Sequence, residues 1–69
     1  MPLTYAKAGE EVYIKRIGGK SETKQFLESL GFTVGSMVRV LSMNGGNLIV
    51  QVKDSRIALS REMAAKIMI

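Results

Sequence analysis

The sequence predicts a mainly β domain: a small closed barrel of five short strands, with one short α-helix between the first strand and the second. Three observations carry this expectation. Short runs rich in Val, Ile and Leu recur between clusters of Gly, Asn, Asp and Ser, the pattern of many brief strands joined by turns. A single longer stretch, Glu22 to Leu30, spaces its apolar residues as a helix does and is followed by a glycine. Finally, 69 residues can enclose one small core, so residues 1–69 are read as a single domain.

Taken in order, Met1 to Gly9 is a lead-in, with Leu3 anchored in the core and Thr4 capping a single helical turn. Gly9 opens a strand over Glu11–Ile17. The alternation of strand side chains puts Val12 and Ile14 inside and leaves Tyr13 and Lys15 outside. Gly18-Gly19-Lys20 forms a loop, and Ser21 is the expected N-cap of a helix over Glu22–Leu30. Glu22 in the first turn suits the positive end of the helix dipole. Phe26, Leu27 and Leu30 share one face of this helix.

The helix exit organises the rest of the chain. With Leu30 as the C-cap, Gly31 takes a left-handed conformation that carries no steric penalty for glycine, and Phe32 is placed to meet Leu27 across the helix end. A tight turn at Thr33-Val34-Gly35 leads to a strand over Met37–Met43, with Val38 and Val40 inward. Asn44-Gly45-Gly46-Asn47 marks a hairpin to a third strand, Leu48–Lys53. A two-residue turn on Gly45-Gly46 would set Val40 against Gln51 and mix apolar with polar on each face. A three-residue loop, Asn44-Gly45-Gly46, instead pairs Val40 with Val50 and Val38 with Val52, so the register favours it, with Gly46 in the left-handed position. Asp54-Ser55 makes the next turn, and Arg56–Leu59 forms a fourth strand with Ile57 and Leu59 inward. Ser60 caps a helical turn over Arg61–Ala64, and Ile67–Ile69 closes the barrel.

Composition removes several function classes. There is no Cys and no His, so neither a disulfide framework nor a thiolate or imidazole metal site is available. The nucleophile–base pairs of covalent catalysis are equally out of reach. The six carboxylates lack metal-loop spacing, so no catalytic, cofactor-binding or metal-binding residue is assigned and an enzyme is not expected. Gly18-Gly19-Lys20-Ser21 ends like a phosphate loop but lacks its upstream glycine, and is read as a flexible loop. The five Met residues are read as gap-fillers in the core and on adaptable surfaces, not as soft metal ligands.

No apolar run approaches the length of a membrane helix and no signal-peptide core follows Met1, so the expectation is a soluble, cytoplasmic protein without membrane insertion. The net charge of +4 admits an acidic partner. A nucleic-acid-binding barrel using Lys15, Arg16 and Arg39 with Tyr13 as stacking surface is the alternative function, and the scarcity of aromatic residues argues against it. On the outer side of the hairpin, Met37, Leu41, Met43 and Ile49 have outward parity. They form a second candidate patch, for a partner or for another copy of the chain in a homo-oligomer.

Three segments together carry a family resemblance. Leu27-Glu28-Ser29-Leu30-Gly31-Phe32, the run Gly35-Ser36-Met37-Val38-Arg39-Val40, and the tail from Ile57 to Met68 resemble the FeoA family, ferrous iron transport protein A. The resemblance covers nearly the whole chain in order. It implies an SH3-like barrel that works beside FeoB, a membrane iron transporter with a cytoplasmic GTP-binding domain. The same module forms the C-terminal domain of iron- and manganese-dependent repressors, but neither DNA-binding helices nor a metal site precede it here. The chain departs from the family pattern in having Ala8 before Gly9, Val34 before Gly35, a shorter hairpin tip, and Asp54-Ser55 where a glycine is typical. The expected function is therefore a small accessory protein that binds and modulates the cytoplasmic part of a ferrous iron transporter. The expected contact surface is the helix and its exit: Lys24, Phe26, Leu27, Glu28, Leu30 and Phe32.

Overall fold

Two antiparallel sheets enclose one core in a computed structural model that describes all of residues 1–69. A 3₁₀ turn at Leu3–Tyr5 is followed by β1 (Glu11–Tyr13), β2 (Arg16–Ile17), α1 (Ser21–Ser29), β3 (Met37–Asn44), β4 (Asn47–Val52), β5 (Ser55–Ser60), α2 (Arg61–Ala64) and β6 (Ile67–Met68). The larger sheet runs β1-β3-β4-β5, and the smaller pairs β2 with β6. Val38, Val40, Leu48, Val50, Val52 and Leu59 from the larger sheet meet Ile17 and Ile67 from the smaller, with Leu3, Ile14, Leu27 and Phe32 filling between them. The architecture is the expected mainly β fold with one helix of any length between the first strand and the hairpin. No helix is long and apolar enough to cross a membrane.

The expected first strand divides in two. Val12 lies in β1, but Ile14 and Ile17 are both buried three residues apart, a spacing that a regular strand cannot direct to one side. The chain bends between them. Tyr13 pairs with Met37 in the larger sheet, whereas the Lys15 N–H already donates to Met68 O (2.7 Å), and Arg16 pairs with Met68 in the smaller. There are consequently six strands and not five, and no continuous ladder closes the barrel. The sheets are joined by the chain itself at this bend and again through α2.

The hairpin keeps the expected register by a different device. Val38 pairs with Val52 and Val40 with Val50, yet Asn44 pairs directly with Asn47, so the connection is the two-residue turn Gly45-Gly46. The ladder shifts between Val40 and Ser42, leaving Leu41 as an extra residue. This bulge reconciles the short turn with the apolar pairing. The left-handed glycine is Gly45 (φ 58°), not Gly46, as when the first central residue of a hairpin turn has positive φ.

Smaller differences concern caps and turns. Helix α1 starts at Ser21, behind Lys20 and without a side-chain cap, and its first turn closes when Lys24 N–H donates to Lys20 O at 3.0 Å. Thr4 lies inside the 3₁₀ turn, and Pro2 occupies the capping position without a side-chain bond. The second hairpin turns on Lys53-Asp54 and not on Asp54-Ser55, with Lys53 at φ 54°. Ser60 does cap α2, its Oγ accepting from Met63 N–H at 3.3 Å. Leu3 is fully buried, as expected.

Candidate functional site

The helix exit is built from backbone hydrogen bonds between residues that the core holds in place. The Gly31 N–H donates to Glu28 O (3.0 Å) and the Phe32 N–H to Leu27 O (3.0 Å). This pair of bonds defines a Schellman stop, and it requires the positive φ of Gly31, 105°. Leu27 and Phe32, at the two ends of the longer bond, are both wholly buried. Beyond them, Ser36 N–H donates to Thr33 O (3.0 Å) across a turn with Gly35 at φ 89°, as in a type II turn. The Gly35 N–H then donates to Ile14 O and the Ile14 N–H to Ser36 O. The exit is thereby tied to the bend between β1 and β2.

This scaffold decides which expected contact residues reach the surface. Phe26 is 50% exposed on the nine-residue α1. Lys24 and Glu28 are exposed on either side of it in sequence, Leu30 is half-buried, and Lys24 and Glu28 form no ion pair with each other, since the single ion pair of the chain joins Arg39 to Glu11. Leu27 and Phe32 cannot touch a partner, because their side chains are the interior of the domain. Val34, 66% exposed at the turn, was missing from the expected set. Its signal was an apolar side chain at the outer corner of a glycine-containing turn.

The second candidate patch is broken up. Met37 and its cross-strand partner Tyr13 are both exposed. The next row on the same face is Glu11, Arg39, Gln51 and Arg56, which separates them from the half-buried Ile49, paired with Ser42 and Ala58. Leu41 is the half-buried bulge residue. The bulge also turns Met43 to the side of its partner Leu48, so its outward parity is corrected, although it stays 40% exposed at the sheet end. A depression of about 360 Å³ on this face is lined by Glu11, Ser36, Met37, Arg39, Gln51 and Lys53. Its centre holds the Arg39–Glu11 ion pair (3.0 Å), both members well exposed to solvent and so contributing little to stability.

The basic residues of the nucleic-acid alternative do not share a surface element. Arg39 is in the larger sheet and engaged with Glu11, whereas Arg16 lies in the smaller sheet opposite Met68 and Lys15 sits at the bend. No three Asp or Glu side chains gather in one place to hold a metal ion.

The model of the FeoA domain matches the chain from residue 1 to residue 69. The chain belongs to the FeoA family. The domain is 41% identical over 68 residues to a Methanocaldococcus jannaschii protein provisionally named Fe(2+) transport protein A, covering 99% of this chain and 83% of that one. Its fold is that of a crystallised iron uptake regulatory protein, also a FeoA, at 29% identity and a TM-score of 0.87, over 96% of this chain and 88% of the other. It likewise matches the FeoA of Stenotrophomonas maltophilia, crystallised with zinc and described as a procaryotic SH3 domain protein. There the identity is 26% and the TM-score 0.85, over 99% and 87% of the two chains. The FeoA domain described here is therefore SH3-like, with the first strand split at its bend.

Proposed function

We propose that this FeoA domain is a non-enzymatic accessory protein of ferrous iron uptake, acting in the cytoplasm. On this reading it docks on the GTP-binding part of a FeoB-like membrane iron transporter and modulates it. Family membership supports the pathway, and the helix exit supports the docking surface. The observation that carries the surface is Phe26, a large apolar side chain half in water on a helix whose end is fixed by buried Leu27 and Phe32. A rigid aromatic anchor ringed by polar side chains is the usual form of an interface hot spot. Lys24 and Glu28 flank that anchor as exposed, unpaired charges, suited to tuning encounter rate and partner choice.

The test is a double charge reversal, Lys24→Glu with Glu28→Lys, in the intact domain. Both side chains are solvent-exposed, so circular dichroism and the melting temperature should match the parent. Association with the transporter's cytoplasmic domain, or the change in its GTP hydrolysis, should weaken. A folded variant that binds and modulates as the parent does would move the docking surface away from α1.

A further inference from the structure

The open edge of β5 has the geometry to pair with itself. In the larger sheet β5 is terminal and bonds only to β4. The two-residue turn makes Val52 and Ser55 a closing pair, so Val50–Ile57 and Leu48–Leu59 bond across the same ladder. The backbone groups of Arg56 and Ala58 therefore point away from β4, and no other backbone or side-chain group of the chain bonds to them. Residues 55, 56, 58 and 60 are all exposed. Of the usual defences of an edge strand, proline and bulges are absent from Ser55–Ser60, whose pairing with β4 is unbroken over six residues, and Arg56 is its one charged side chain. The other terminal strand, β1, is three residues long, begins with Glu11 and ends at a bend.

We propose that a second copy of this chain adds to β5 antiparallel, about a two-fold axis at Ala58, joining two four-stranded sheets into one. The register is set by complementarity. With the axis at Ala58, each Ala58 exchanges both backbone bonds with its counterpart, as a bonded antiparallel pair does. On the inner face Ile57 stands against Leu59 of the other copy, apolar against apolar, and Ile57 is only half-buried without that neighbour. On the outer face Arg56 meets the neutral Ser60, and the methyl of Ala58 leaves room at the axis. Beyond the paired strands, Arg61 and Glu62 of one copy lie near Lys53 and Asp54 of the other, two charges of each sign. An axis at Ile57 or Leu59 would be a non-bonded pair that also lets the outward backbone groups bond, but it matches side chains poorly: the first sets Leu59 against Ser55 and Arg61 against Lys53, the second Ile57 against Arg61. A shift of two places arginine against arginine or drives α2 into its symmetry mate. Such a surface has two-fold self-complementarity, the requirement for a closed dimer. Its area is that of one added strand, below the standard size for a permanent complex, so the dimer is governed by concentration.

The test uses the intact chain and three substitutions at one exposed position. Sedimentation velocity from about 1 mM to about 1 µM protein should show a dimer that dissociates on dilution. Amide exchange at Arg56 and Ala58 should slow as the dimer fills. Ala58→Lys opposes like charges at the axis, and Ala58→Pro removes an N–H that β4 does not use, a position where edge strands accept proline. Each should fold like the parent by circular dichroism and remain monomeric throughout. Because the chain has no cysteine, Ala58→Cys can cross-link only between copies. In a bonded pair the Cβ atoms are up to about 5.5 Å apart, beyond the roughly 3.5–4.5 Å a disulfide needs, so a short bifunctional thiol reagent, and not oxidation, should give a covalent dimer. A parent that stays monomeric over the whole range, or a dimer that survives both Ala58→Lys and Ala58→Pro, overturns the proposal.

Discussion

The helix exit and the β3–β4 tip both turn on a glycine with positive φ, but they are held in different ways. At the exit, Gly31 sits between two wholly buried side chains, and the bonds it organises continue through Gly35 into the first strand. At the tip, every residue from Ser42 to Asn47 is exposed, and it is held by the ladder to β4, the pairing of Asn47 with Ser60 and one bond from Arg61 N–H to Gly46 O (2.9 Å). The exit is thus fixed by buried side chains and the tip by backbone bonds alone. Both positive φ values, 58° at Gly45 and 105° at Gly31, strain an L side chain, but the exposed tip can relax around one where the exit, packed between buried side chains, cannot. A partner-binding residue gains preorganisation from the first kind of support and little from the second.

Three substitutions sharpen this contrast, in falling order of expected effect. Phe32→Ala removes the largest wholly buried side chain and should cost about 3–5 kcal/mol. A chain this small has only a few kcal/mol in reserve, so chemical denaturation should find the variant largely unfolded. Gly31→Val places a β-branched residue at φ 105°. Its Cβ would meet Val52 at an ordinary 3.6 Å, so backbone strain supplies about 1–3 kcal/mol and the two valine methyls must in addition find room beside Val52. The melting temperature should fall by roughly 4–8 °C for each kcal/mol; an unchanged melt would mean the helix does not end on a Schellman stop. Gly45→Ala has nothing within 4 Å of the added methyl and should cost about 1–3 kcal/mol of backbone strain before the exposed tip relaxes, less than Ala at Gly31. Equal losses for alanine at the two glycines would erase the distinction between exit and tip.

How much of this was legible in the residues divides along the same line. The helix stop was readable because its signals are local: a glycine, an apolar residue three positions before the helix end, another two beyond the cap. The bend at Ile14 has its own signal in the sequence, since Ile14 and Ile17 cannot both face the core of one regular strand. The bulge at Leu41 could be sensed only as a conflict between a Gly-Gly turn and valine pairing. A longer loop and an extra residue within the strand answer that conflict equally well from sequence. Met43 was assigned to the wrong face for this reason. Ser21 was given the cap because serine favours that position, but the neighbouring Lys20 supplies the extended residue that starts the helix. As for the site, the spacing of Phe26, Leu27 and Leu30 revealed an apolar helix end, but not which of them faces water. That depends on where the β-sheet core lies beneath α1. Only the fold separates exposed Phe26 from buried Leu27.

On the proposed function this separation has a purpose: the core holds Leu27 and Phe32 so that Phe26 is presented to a partner. Phe26→Ala is the decisive substitution. The side chain is half exposed, so the variant should keep its fold and nearly all its stability. Titration calorimetry against the cytoplasmic domain of the transporter should then show a loss of at least about 2 kcal/mol, roughly thirtyfold in Kd, as expected for a central hot spot. A folded Phe26→Ala domain that binds with the parent's affinity would contradict the docking proposal and leave the helix exit as a structural element only.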